Sequence, residues 1–291
     1  MLGSPEHIGD NGGDGASSTG GSERRSGGDR RREGRVRIAA VGDFHCGVGD
    51  AGVYRDLFTE ANTQADVLLL CGDLTRRGLA AEFRVVVSEL AEVKVPICAV
   101  LGNHDYESDQ VSEGLAILRD RGIHHLNGDA FTLNEKVGFA GVKGFMGGFG
   151  RGTLTAFGEP EAKAFVNAAL TEVQALEFAL RRLATPVRVA VLHYAPIVTT
   201  VTGEPEIIYP YLGTDRLSDP LDRYGVVAAF HGHAHFGQFQ GQTAGGVPVF
   251  NVSLPLIRQL GVGKMFYLHE IPTANVPVPA PGTPTQRISA G

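Results

Sequence analysis

The chain has 291 residues, 43% hydrophobic and 20% charged, enough apolar material for one large core or two modest ones. No apolar run approaches the roughly eighteen residues needed to cross a bilayer, and Met1-Leu2-Gly3-Ser4-Pro5-Glu6 holds no signal-peptide core, so a cytoplasmic protein without a membrane partner is expected. A net charge of −6 gives no electrostatic footprint for wrapping duplex nucleic acid.

Residues 1–35, rich in Gly, Ser, Asp and Arg, have almost nothing apolar to offset ordering entropy and are expected to form a disordered tail. A strand is expected over 36–41, a helix over 53–61, a strand over 66–70 and a helix over 80–93. Pro96 then marks the entry to a strand over 97–101. Residues 131–142 alternate like a hairpin. The longest helix is expected over 161–183, with Pro160 in its first turn and Arg181-Arg182 in its last, both favourable to the helix dipole. Strands follow over 187–192 and 226–230, and a second hairpin pairs 238–240 with 247–250. The Gly- and Phe-rich stretch 143–157 and the stretch 195–212, with three prolines and two tyrosines, fit no element and read as ordered loops at a site mouth. The end, 272–291, is a Pro-rich tail. Together these imply one α/β domain over 36–271 with a pair of mixed sheets flanked by helices.

Seven side chains that favour metals recur just past the strand-like runs: Asp43 and His45, Asp73, Asn103, His193, and His233 with His235. Sites in open α/β sheets form outside the carboxyl ends of strands, so one pocket can collect all seven. Singly the pieces are weak. Asp43 can cap a helix, His193 can be a satisfied core histidine, and an Asp-x-His tripeptide arises about once by chance in such a chain. Gly102-Asn103-His104-Asp105 is expected only on the order of once in several hundred such chains, and His231-Gly232-His233-Ala234-His235 is comparably rare. Cys46, Cys71 and Cys98 form no CxxC pair and read as buried small hydrophobes, although Cys46 and Cys71 stand close to expected ligands. His231 reads as structural, and His124, His125 and His269 belong to no motif.

From Val36 to about Glu270 the chain resembles the calcineurin-like metallophosphoesterase superfamily, in its phosphodiesterase-like bacterial form. The resemblance is carried by Asp43-Phe44-His45, Gly72-Asp73, Gly102-Asn103-His104-Asp105, the lone His193 and Gly232-His233-Ala234-His235. It implies a four-layer αββα sandwich with two mixed β-sheets flanked by helices. It also implies two metal ions, Mn, Fe or Zn: Asp43, His45, Asp73 and His235 would hold the first, and Asp73, Asn103, His193 and His233 the second. The shared Asp73 would let two cations sit about 3.5–4 Å apart and ionise a bridging water that attacks phosphorus. His104 would be catalytic, steadying charge or protonating the leaving oxygen, and Asp105 would hold the His104 ring. Arg151 is a candidate for binding substrate phosphate, with Arg216, Tyr194 and Tyr209 as lesser ones.

The function implied is hydrolysis of a small-molecule phosphate ester, diesters and cyclic nucleotides ahead of monoesters. A phosphomonoesterase or a small nuclease of the same superfamily is the nearer alternative, and a non-catalytic metal-binding scaffold the farther one. Arg76-Arg77 follows Gly72-Asp73, but no second arginine signature appears near Tyr106, which argues against protein substrates.

Overall fold

Strands buried on both faces read as unbroken apolar runs, and such runs dominate the two sheets of this protein. The computed structural model describes residues 34–261 and 265–274. The chain begins β1 (Arg35–Val41), α1 (Arg55–Gln64), β2 (Val67–Cys71), α2 (Ala80–Glu89), β3 (Ile97–Val100), α3 (Val111–Asp120) and β4 (His124–His125). It continues through β5 (Asp129–Leu133), β6 (Val137–Val142), α4 (Pro160–Arg182), β7 (Val187–Leu192), α5 (Tyr209–Leu212) and α6 (Ser218–Arg223). The last elements are β8 (Ala228–His231), β9 (Gln240–Gln242), β10 (Pro248–Asn251), α7 (Leu254–Gln259) and β11 (Tyr267–Pro272).

The strands form a five-stranded sheet, β11-β1-β2-β3-β4, and a six-stranded sheet, β5-β6-β7-β8-β10-β9. Pairing is parallel except where β11 meets β1, β5 meets β6 and β9 meets β10, so both sheets are mixed. Side-chain alternation builds the layers. Val36, Ile38 and Ala40 of β1 pack with Val187, Val189 and Val191 of β7 in a core between the sheets. Ala39 and Val41 face the other way, onto Phe58 of α1 and Phe83 of α2. Ala190 and Leu192 likewise pack on Leu176 and Leu180 of α4. This is the four-layer αββα sandwich, three apolar seams between four layers. Among the described residues no helix is long and apolar enough to cross a membrane.

Several elements differ from expectation for identifiable reasons. The second helix stops at Glu89, not 93, and the Glu89 carboxylate accepts from the Gly52 and Tyr54 N–H groups, tying the helix to the loop after β1. Helix α3 escapes a periodicity reading because it buries only Gly114 and Leu118. Gly114 is needed there, since a Cβ would lie 2.4 Å from the Phe83 ring. Strand β11 hides for the same reason, with Ile271 its one buried residue. Its ladder pairs Arg35 with Pro272, so it takes in one residue from each expected tail. Gly34, Thr273 and Ala274 of those tails are described as well, and 1–33 and 275–291 lie outside the described residues.

Phe83 is fully buried where α2, α3 and the first sheet meet. Phe83→Ala is expected to lower the unfolding free energy in urea by about 3–5 kcal/mol.

Candidate metal centre

Because β1, β2 and β3 are parallel neighbours, and β7 and β8 are too, their carboxyl ends open on one edge of each sheet. Asp43 and His45 follow β1, Asp73 follows β2, Asn103 follows β3, His193 follows β7, and His233 and His235 follow β8. The backbone turns sharply at these points. Seven described non-glycine residues have positive φ, and four are Asp43 (56°), His45 (44°), Asp73 (49°) and His233 (70°). Such conformations cost about 1–3 kcal/mol each and persist only where the surroundings enforce them. Two motif glycines make room for the carboxylates. A Cβ on Gly102 would lie 2.1 Å from Asp73 Oδ1, and one on Gly232 would lie 2.1 Å from Asp43 Oδ2.

Hydrogen bonds then aim each side chain. The His233 N–H donates to both Asp43 oxygens at 2.9 Å, and the His104 N–H donates to Asp73 Oδ1 at 2.9 Å. His193 Nδ1 pairs with the Cys71 carbonyl at 3.0 Å, which makes Nδ1 the protonated nitrogen and leaves Nε2 toward Asn103 Oδ1 at 3.0 Å and Asp73 Oδ1 at 3.5 Å. His233 Nε2 pairs with the Tyr211 carbonyl at 3.1 Å, leaving Nδ1 as its free lone pair. His235 Nε2 lies 3.2 Å from Asp43 Oδ1, and His45 Nε2 lies 3.8 Å from Asp73 Oδ2. Backbone carbonyls thus set the tautomers of His193 and His233, as they do for metal-ligating imidazoles.

Asp43 and Asp73 are 2% and 1% exposed. Burial, followed by the nearby Asp43 and Asp105 carboxylates, pushes the Asp73 carboxyl well above its usual range. Burial also holds His45 down to about 4, His233 down to about 3 and His193 well below its ordinary value, so these imidazoles are neutral and able to ligate. For His235 burial opposes the charged form, but the hydrogen bond and charge of Asp43 outweigh it and raise the pKa. The buried His45 Nε2 has no hydrogen-bond partner. Crowded carboxylates and an orphaned imidazole lone pair are both relieved by bound cations. Ligand atoms gather within 4.8 Å of one another in three sets: Asp43, His45 and His235; His45, Asp73 and His104; and Asp73, His193 and His233. Carboxylate, imidazole and amide donors together suit metals of intermediate softness. The residues fit a metal centre.

The remaining candidates fall in different places. A ring nitrogen of His104 is among those near His45 and Asp73, and its Nδ1 pairs with the Arg76 carbonyl at 3.0 Å. Asp105 does not hold that ring, contrary to expectation. Its fully buried carboxylate accepts from the N–H groups of Gly102, Leu74 and Thr75 and from Thr75 Oγ1, so it fastens the loop after β3 to the loop after β2. Arg151 sits on an exposed turn, Gly150–Gly152. Arg216 donates to the Leu154 carbonyl, and Tyr209 packs in a small apolar cluster with Ala195 and Leu212. Tyr194 is the residue that sequence reasoning underweighted: its ring lies 4.5 Å from His233 and 5.4 Å from His193. Lys143, which it missed, lies 5.2 Å from the Tyr194 ring and 4.9 Å from Phe145. Its one signal was a lone cation ahead of a Gly-rich loop. His231 is buried against Thr200 Oγ1 and the Gly232 carbonyl, a structural place. Cys46, Cys71 and Cys98 are free buried thiols, and burial pushes Cys46 up to about 12, unlike a ligating thiolate.

The two unassigned stretches meet each other. Gly147 and Gly148 donate to the Pro210 and Gly213 carbonyls, and Asp215 accepts from Gly150 N–H and Thr153 Oγ1, so both loops are ordered on the His193 side of the cluster.

Comparison with known proteins agrees with this architecture. The family model for calcineurin-like phosphoesterases matches residues 36–237. A Fibrobacter succinogenes protein named "Probable cyclic nucleotide phosphodiesterase" is 29% identical over 99 residues, covering 31% of this chain and 38% of that protein. The phosphopantetheinyl hydrolase of Mycobacterium tuberculosis shares the fold with a TM-score of 0.55 at 17% identity, over 84% of this chain and 98% of its own. The TT1561 protein of Thermus thermophilus does so with a TM-score of 0.52 at 16% identity, over 82% and 99%.

Gly102→Ala forces a methyl group against the Asp73 carboxylate. The variant is expected to keep its far-ultraviolet circular dichroism and to lose about 10–100-fold in metal affinity, measured by competition with a chelating dye.

Proposed function

The chain belongs to the calcineurin-like phosphoesterase family, and we propose that it hydrolyses small phosphate esters with two bound metal ions, Mn, Fe or Zn, taking phosphodiesters and cyclic nucleotides before monoesters. One observation carries this reading. Asp73 turns Oδ1 toward His193 at 3.5 Å and Oδ2 toward His45 at 3.8 Å, so a single carboxylate serves two imidazole sets. Asp43, His45, Asp73 and His235 are assigned to one ion, and Asp73, Asn103, His193 and His233 to the other. Bound there, two cations would polarise phosphoryl oxygens and lower the pKa of a shared water to near neutrality.

The chain's own groups do the rest. Asp43 is clamped through both oxygens by the His233 N–H, which fixes its direction before any ligand arrives. His104, with its Nδ1–H held by the Arg76 carbonyl, would carry a second proton on Nε2 and give that proton to the leaving oxygen. Asp105 keeps His104 in place from below, through the loop that carries it rather than through its ring. The preference for diesters is supported by the name of the Fibrobacter relative, of which the match spans 38%. A non-catalytic scaffold is disfavoured because all seven expected ligand positions and His104 are intact.

Metal-loaded protein should be assayed against mono- and diesters, cyclic nucleotides included, with bound metal measured by mass spectrometry on the same sample. Asp73→Asn is expected to lose metal and turnover together, and full turnover in that variant would overturn the site. His104→Ala is expected to keep its metal yet lose about 10²–10⁴-fold in kcat. Loss of metal in the latter would make it a ligand rather than a proton donor.

A further inference from the structure

His193 and His233, both assigned to the second ion, are held very differently. His193 is fully buried, and its Nδ1–H is bound by the Cys71 carbonyl. His233 is only partly buried, and its Nε2–H reaches the carbonyl of Tyr211, a residue that is itself 59% exposed. One hydrogen bond fixes a point on an imidazole but not its plane. Packing has to set the plane, and the Tyr194 ring lies 4.5 Å from the His233 ring, nearer than His193 at 4.8 Å. Tyr194 is fixed in turn without its hydroxyl, which makes no hydrogen bond among the described residues. Strands β6 and β7 run parallel with Val142 opposite Leu192, so Lys143 leaves its strand level with His193. The Lys143 carbonyl accepts from the N–H groups of both His193 and Tyr194, at 3.1 and 3.0 Å. The Lys143 ammonium lies over the Tyr194 ring at 5.2 Å and over Phe145 at 4.9 Å. It is pinned there, donating to the Gly144 carbonyl at 2.7 Å and facing Glu172 Oε1 of α4 at 3.8 Å.

We propose that Tyr194 is a positioning residue for the second ion: its ring, braced by Lys143 and Glu172, holds the His233 imidazole in the plane that ligation requires. The inference rests on the two-metal reading above and names what keeps one ligand set in shape before an ion arrives. Groups standing behind a ligating imidazole are worth about 10–100-fold in metal affinity, and a ring packed on it restrains the same motion as a hydrogen bond. Lys143 acts as a brace and not as an attraction, since its charge repels a cation. The ring, rather than the hydroxyl, is therefore what the second ion needs. Among the described residues that ring contacts His193, His233 and Phe145 and no imidazole of the first set, so the effect falls on one ion.

The test reads binding of cobalt(II), whose visible absorption reports its ligand geometry, with one ligand set crippled at a time. His235→Ala damages the first set and leaves the second to be measured. Adding Tyr194→Leu to it is expected to weaken cobalt binding about 10–100-fold and to shift the visible bands, whereas Tyr194→Phe keeps both. In a His233→Ala background, where the second set is damaged instead, Tyr194→Leu is expected to change cobalt affinity by less than about two-fold. Equal weakening in the two backgrounds, or a Tyr194→Phe variant as damaged as Tyr194→Leu, would overturn the proposal. So would unchanged affinity of the second set in a folded Tyr194→Leu variant. Should Tyr194→Leu lose its far-ultraviolet circular dichroism, Tyr194→Met, nearer in volume but without a flat face, is read by the same criteria. Loss of fold there as well would make the ring a core element and overturn its role at the ligand. A wild-type protein that binds fewer than two equivalents of cobalt is a separate outcome: the two-metal reading fails and takes this inference with it.

Discussion

Asp43 and Asp73 are withdrawn from water at the edge of the sandwich, with the Asp105 carboxylate buried nearby. Carboxylates that share a buried space resist ionising together, since neither water nor distance screens them. The fold nonetheless spends strain to gather them. Left-handed backbone at Asp43, His45, Asp73 and His233 and glycines without room for a methyl group all serve that crowding. His45, His193 and His233, held neutral by burial, supply lone pairs and no charge, and a bound cation would relieve the crowding of the carboxylates.

The two sheets divide this labour. The first sheet carries both site carboxylates, His45 and Asn103, and the second carries His193, His233 and His235. The site therefore depends on how the sheets are stacked. That stacking is set by the seam of Ile38, Leu69, Val100, Val189 and Phe230 between them. Strand register has a period of two, and a slip of one residue would turn this seam onto the helices and carry the terminal ligands away. Bonds that cross between the sheets complete the lock. His193 Nδ1 on the Cys71 carbonyl and the His233 N–H on Asp43 join the two halves at the point where a metal would sit.

Much of this was legible in the sequence because parallel strands buried on both faces are written as plain apolar runs, and the ligand motifs follow each run at once. Val187–Leu192 was bounded without error for that reason. Where burial touches one or two residues, as in α3 and β11, no period exists to read. The ligand residues were readable from motif spacing, but the role of Asp105 was not. Adjacency in sequence suggested that it served His104, whereas four donors from two loops claim its oxygens. Three of those four bonds come from about thirty residues away and leave no local pattern. The same holds for Tyr194 and Lys143, whose meaning comes from rings brought together by the fold.

Arg188 shows what the second sheet tolerates to keep its geometry. It interrupts an otherwise apolar strand, is 2% exposed, and reaches through the α4 layer to the Leu183 and Tyr224 carbonyls. Those carbonyls lie at the ends of α4 and α6, where a helix leaves acceptors unsatisfied and a cation is favoured. One guanidinium thus fixes the far ends of two helices to the strand whose near end presents His193. Chemistry is thus anchored at the strand ends, while the connections that follow them are where a fold of this kind can build recognition.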